Sequence, residues 1–132
     1  MDSTGQKPTD HAGASKQHYI GAAGEHLVAS YFMTEGMPVY WPALAGWVDL
    51  VVQTPHGFRR VQVKTCDTEG DNPRVRRLGS TNRVQPSDRY DLLAVVHKHR
   101  LWVIPSQVLE GKDTITLHPT KHDCPFAGFR RR

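Results

Sequence analysis

Five consecutive apolar residues, Leu92-Leu93-Ala94-Val95-Val96, constrain this chain more than any other segment. The run is too short for a buried helix and rich in strand-forming types. It reads as a strand buried on both faces, which requires a sheet covered on two sides. His97 to Arg100 turns the chain, and Leu101-Trp102-Val103-Ile104 returns as a second strand that Pro105 ends. That places His97 and His99 on an exposed hairpin and Trp102 in the core. Ser106 is positioned to cap a short helix through Leu109, and Thr114 to Leu117 adds an edge strand.

The elements that come earlier supply the rest of the sheet and one of its covers. Ile20, Ala23, Leu27, Val28, Tyr31 and Phe32 recur at three- and four-residue steps, the stripe of an amphipathic helix beginning near His18. Gly36 and Pro38 stop it. At 100° per residue Glu25 falls about 20° past Phe32, at the margin of the stripe, where a carboxylate reaches over the edge of whatever the helix packs on. Val39 to Trp41 has weak strand character, with Trp41 read as core. Val48-Asp49-Leu50-Val51-Val52 is strongly β-branched, Pro55-His56-Gly57 marks a turn, and Arg59 to Thr65 returns, together predicting a hairpin. The sum is an α/β domain, a small mixed sheet flanked by helices, in the coarse order α-β-β-β-α-β with a further strand possible after the third.

Within the hairpin, period two puts Val61 and Val63 on the core face and Gln62 and Lys64 on the other, about 6.6 Å apart. Asp49 lies where the hairpin brings it beside Gln62. An unpaired carboxylate in so apolar a strand is costly, so it calls for a partner. One acid on a helix edge, one on a strand, and an amide and an ammonium on the next strand converge on one spot.

Gly24-Glu25, Val48-Asp49-Leu50 and Gln62-Val63-Lys64 together resemble the core of the PD-(D/E)XK nuclease superfamily, with a Holliday-junction-resolvase-like frame. The segments GAAGEHLVASYFMTEG and RRVQVKT, and later RYDLLAVV and LWVIP, extend the likeness over about residues 20 to 105. Glutamine in place of the second acid is closest to the QxK intron-encoded homing endonucleases. The resemblance implies a restriction-endonuclease-like core and a Mg²⁺-dependent deoxyribonuclease, with Mn²⁺ able to substitute. It implies Glu25, Asp49, Gln62 and Lys64 as catalytic residues, with Asp49, Gln62 and Glu25 on the metal. Products would be a 5′-phosphate and a 3′-hydroxyl, made in homing or in junction resolution. Losing one anion from the site weakens its hold on a cation, which leaves a second reading, a non-catalytic nucleic-acid-binding module on the same fold. A small structural protein that only mimics the motif is the third.

Residues 66 to 89 form a 24-residue connection, too long for a simple turn and carrying five arginines. Arg74, Arg76, Arg77 and Arg83, with Ser80, are placed to contact DNA phosphates, against the plainer reading of a solvated charge run. Arg130 to Arg132 is equally a phosphate-binding tail or a solubilising end. Trp47, beside Asp49, is either core packing or a stacking surface. His118, His122, Cys124 and Cys66 lack the CxxC spacing of a zinc site.

The chain's 132 residues allow one core, so residues 1–17 are read as a tail and residues 18–132 as one domain. No apolar run reaches the ~18 residues of a membrane span, the start of the chain lacks an apolar leader segment, and two cysteines fit a reducing compartment, all predicting a cytoplasmic protein. Seventeen Lys and Arg against thirteen Asp and Glu give a charge of +4, which permits a DNA partner. A chain this short cuts both strands of a duplex only with a second copy, so a homodimer or higher homo-oligomer is expected.

Overall fold

The computed structural model describes residues 13–44, 46–66, 70, 74–76, 87–98, 100–111 and 114–117. Its first element is helix α1, Lys16–Thr34. It starts two residues earlier than the apolar stripe suggested, because Ser15 caps it: the hydroxyl accepts from His18 N, and Ser15 N donates to His18 Nδ1, both at 3.3 Å. Gly36, at φ 86°, ends the helix and lets Met37 N donate to Phe32 O at 2.9 Å.

Strands β1 (Val39–Tyr40), β2 (Leu50–Thr54), β3 (Gly57–Cys66), β5 (Leu92–His97) and β6 (Arg100–Pro105) form one sheet in the order β1-β2-β3-β5-β6. The β2–β3 hairpin is antiparallel, with Leu50 opposite Val61 and Thr54 opposite Gly57. β5 lies parallel to β3, Val61 opposite Leu92 and Cys66 opposite His97, and this parallel pair is the centre of the sheet. β6 returns antiparallel to β5.

Every residue of β5 is buried, and its side chains alternate between two cores, as the apolar run required. Leu92, Ala94 and Val96 join Leu50, Val52 and Val61 beneath Val28, Ala29 and Phe32 of α1. Leu93 and Val95 face the other way, onto Tyr90, Trp102, Leu109 and Leu117. The sheet is thus sandwiched, with one α-helix described on one side and a 3-10 helix, Ser106–Leu109, on the other.

Several details differ from the sequence reading. The helix buries Gly24, Val28, Ala29 and Phe32, whereas Leu27 is 46% exposed. Two small residues let the backbone approach the sheet, and that closeness sets the buried face more firmly than side-chain size. Trp41 is exposed beside His26, ring centroids 5.0 Å apart. His97 is buried, not displayed on a hairpin: the turn begins one residue later, at Lys98 with φ 55°, and the His97 ring lies 6.4 Å from that of Trp102. Ser106 makes no cap; its N–H donates to Asp91 O at 2.9 Å and Pro105 holds the cap position. No second α-helix occurs among the described residues; the stretch between β3 and β5 contributes β4 (Arg74–Arg76) and a 3-10 helix, Ser87–Arg89. β4 pairs antiparallel with β7 (Thr114–Thr116) in a separate two-stranded sheet, so Thr114 onward is not an edge of the main one.

Candidate active site

The site is built where β2 peels away from β3. Asp49 directly precedes β2, and its N–H still donates to Val61 O at 2.8 Å. Beyond that bond the strands part, and the side chain takes over: Asp49 Oδ2 accepts from Val63 N at 2.8 Å, filling the ladder position that the backbone has left. Continuing the Leu50–Val61 register one residue places Asp49 level with Gln62. A carboxylate fixed by a backbone donor on the adjoining strand has little rotational freedom, which is what a ligating or catalytic group needs.

Glu25 comes to the same place from α1. Its reach is set by Gly24, which packs on β3 so closely that a Cβ there would overlap the Thr65 hydroxyl. The Glu25 and Asp49 carboxyls are hydrogen-bonded to one another. Burial raises the Glu25 pKa, and the Asp49 charge and that hydrogen bond add to the rise, against a small opposing effect of His26. Burial also raises Asp49; the Val63 N–H, Glu25 and the Lys64 charge pull the other way. Two acids pressed together and partly desolvated share a proton readily, and a cation between them would take that proton's place.

Gln62 is buried, and its Oε1 has no hydrogen-bond partner. An unsatisfied buried carbonyl costs about 1–3 kcal/mol, so this oxygen stands ready for a ligand. Lys64, partly buried two residues on, acts electrostatically on Asp49. Two carboxylates and one amide oxygen, all hard oxygen donors, fit Mg²⁺ or Mn²⁺ better than a soft metal. Among the described residues no three His, Cys, Asp or Glu side chains gather in a way that could hold a metal ion.

The structure therefore brings Glu25, Asp49 and Lys64 within electrostatic reach of one another and sets Gln62 level with Asp49 on the adjoining strand. Of the arginines and the serine read as DNA contacts, Arg74 and Arg76 fall within the described residues. Arg74 and Arg76 sit in β4, paired with Thr116 and Thr114, not in an irregular arm. Arg77, Ser80, Arg83, His118, His122, Cys124 and Arg130 to Arg132 lie outside the described residues. Cys66 Sγ donates to Arg74 O at 3.4 Å.

Sequence reasoning missed three groups. His26 lies near Glu25, a neighbour visible only once the helix phase is known. Arg60 and Asp91 form an ion pair (Nε to Oδ2, 3.1 Å) that ties β3 to β5, with Asp91 also accepting from Arg60 N at 2.7 Å. Its signal was the acid leading the buried strand. Arg89 places its guanidinium 5.5 Å from the Trp47 ring centre, so Trp47 is a surface residue stacked by a cation.

No family model matches the chain. Over 107 residues, however, it is 37% identical to Protein 5.3 of Escherichia phage T7, a match covering 76% of this chain and 90% of that protein. The chain belongs to the family of T7 protein 5.3. Its fold is similar to a bacterial homing endonuclease, I-Ssp6803I, with a TM-score of 0.66, 17% identity and 78% of each chain covered. It is also similar to the Holliday junction resolvase Hjc of Archaeoglobus fulgidus, with a TM-score of 0.54 and 13% identity over 79% of this chain and 93% of that one. This member of the 5.3 family thus shares the fold of those two proteins, a restriction-endonuclease-like core. No described helix is long and apolar enough to cross a membrane.

Proposed function

We propose that the protein is a metal-dependent DNA endonuclease that hydrolyses phosphodiester bonds to 5′-phosphate and 3′-hydroxyl ends. The observation that carries this reading is the Glu25–Asp49 carboxyl pair with Lys64 acting on Asp49, the orphaned Gln62 Oε1 belonging to the residue level with Asp49 on β3. The nuclease folds it resembles, one a homing endonuclease and one a junction resolvase, support both DNA as substrate and those two settings for cleavage.

Asp49, Glu25 and Gln62 Oε1 would hold Mg²⁺, with Mn²⁺ able to replace it. When bound, the cation supplies positive charge to the scissile phosphate and acidifies a water. Asp49, fixed by Val63 N, sets the position of the site relative to β3. Lys64 orients the attacking water and stabilises the charge that accumulates on the phosphoryl oxygens. Glu25, directly or through a water, would return to the site part of the negative charge that glutamine in place of a second acid removes. One such site per chain cuts one strand, so double-strand cleavage would use a homodimer.

The test is nicking of supercoiled plasmid and of branched DNA in Mg²⁺ or Mn²⁺, beside a gel-shift titration. Cleavage lost in Asp49→Ala, with DNA binding retained, is the expected result. DNA bound but uncut by the wild type in either metal would instead identify a binding module. Cutting that survives Asp49→Ala would remove the proposed centre.

A further inference from the structure

An open groove of about 400 Å³ lies next to the site, lined by Pro42, Leu44, Trp47, Val48, Arg60, Asp88 and Arg89 among others. Val48 is the neighbour of Asp49, and Arg60 shares the Gln62 face of β3 by the strand's period of two. The groove therefore begins one residue from Asp49 and shares the strand face of Gln62 and Lys64. Trp47 is 37% exposed and Leu44 84% exposed, an apolar lining turned to solvent instead of to either core. Over the tryptophan ring stands the Arg89 guanidinium, at 5.5 Å.

Charge distinguishes the possible occupants. Arg60 is bidentate on Asp91 (3.1 Å to each oxygen) and also donates to Asp88 O at 3.2 Å, so its charge is largely spent within the protein. Asp88, exposed, adds a negative group to the same wall. A phosphate would meet one available arginine and a repelling carboxylate. A nucleobase would meet an aromatic face to stack on, a guanidinium plane to cover it, and a carboxylate able to accept from an exocyclic amino group. A cation over an exposed ring is held weakly, so Arg89 can move aside for the base.

The geometry points to this groove as a subsite for one unpaired nucleobase of the substrate DNA, stacked on Trp47 beside the scissile phosphate. The inference rests on the nuclease reading above and narrows its substrate: DNA with an unstacked base near the cut, as at a bulge, branch or single-stranded end, rather than uninterrupted duplex. Base pairing hides both faces of a base within the stack, so a tryptophan subsite engages only a base already freed or flipped out.

Fluorescence anisotropy in EDTA separates binding from cleavage. The probes are a fluorescein-labelled duplex, the same duplex with one unpaired base, and the same duplex with an abasic residue at that position. The wild type is expected to prefer the unpaired base over the abasic site, and Trp47→Leu to lose that preference by about 5- to 100-fold, the scale of one base stacked on an aromatic ring. Trp47→Phe, which keeps an aromatic face, should retain most of it. Equal binding of the unpaired-base and abasic probes by the wild type overturns the subsite, as does a Trp47→Leu loss of equal size on all three. Plasmid nicking that still depends on Asp49 would then leave the nuclease reading standing, whereas nicking indifferent to Asp49 removes that reading whatever the groove binds.

Discussion

Gly24→Ala is expected to destabilise the protein and blunt its activity, although alanine is the better helix former. On the observed backbone the new Cβ would lie 3.5 Å from Thr65 Cβ and 3.8 Å from Val63 Cγ1, ordinary contacts, but would overlap the Thr65 hydroxyl oxygen. Alanine gains about 1 kcal/mol over glycine in a helix interior. Relieving the overlap, by turning a β-branched side chain or lifting α1 from β3, costs about 1–3 kcal/mol. The net is a loss of roughly 0–2 kcal/mol. Thr65→Ala removes the obstructing oxygen, so in that background Gly24→Ala should stabilise by up to about 1 kcal/mol. The sign reversal is the signature, read by urea unfolding of all four proteins in a double-mutant cycle. Because Glu25 is the next residue, a displacement of about 1 Å in the helix should cost nicking about 100-fold, and Thr65→Ala should restore it. Equal stabilisation by Gly24→Ala in both backgrounds would show that the helix does not bear on β3 at this point, and would refute the account of how Glu25 is positioned.

Gln62→Glu should lower the melting temperature in EDTA, since it adds a buried charge beside two acids, and should increase the rise that Mg²⁺ or Mn²⁺ produces; identical metal-induced shifts in both proteins would argue against Gln62 as a donor. The raised pKa values of Glu25 and Asp49 mean that the folded state binds protons more tightly than the unfolded one, so in EDTA their contribution to stability falls as pH climbs through those raised values. Glu25→Gln should flatten that dependence in urea titrations run across the acid range. Asp91 works in the opposite sense. The Arg60 guanidinium holds it below the usual carboxylate range, so its contribution is present above an ordinary aspartate pKa and disappears as pH falls through the lowered value. Asp91→Asn should cost about 1 kcal/mol at neutral pH, after allowance for exposure, and nothing in strong acid.

Local patterns carried the reading wherever one segment determined its own environment. The β2–β3 hairpin follows from β-branched runs around Pro55-His56-Gly57, and the buried β5 from five apolar residues in a row. The nearness of Glu25, Asp49 and Lys64 was legible because strand period and hairpin register fix Asp49 and Lys64 relative to one another, and the helix phase needed only to bring Glu25 near. What escaped depended on contacts between distant segments. Gly24 and Ala29 define the buried helix face through closeness to β3, information absent from the helix itself. Burial of His97 depends on Trp102 across the β5–β6 turn, and Trp41 is left outside because β1 pairs for only two residues. Pairing of β4 with β7 joins segments about forty residues apart and has no local sign.

The parallel pairing of β3 with β5 also has a consequence for the order of events during synthesis. Glu25, Asp49, Gln62 and Lys64 all precede the strand that β3 must pair with, and the opposite edge of β3 stays open until Leu92–His97 has emerged and docked. Until then the hairpin has neither its central neighbour nor the second core, and an isolated hairpin is marginal in water. A nascent chain would thus carry every chemical group of the cluster without holding them in place. Closure of a long loop, with its entropic cost, is the step that switches the cluster on. The fold thereby places a delay between translation of these four residues and their assembly.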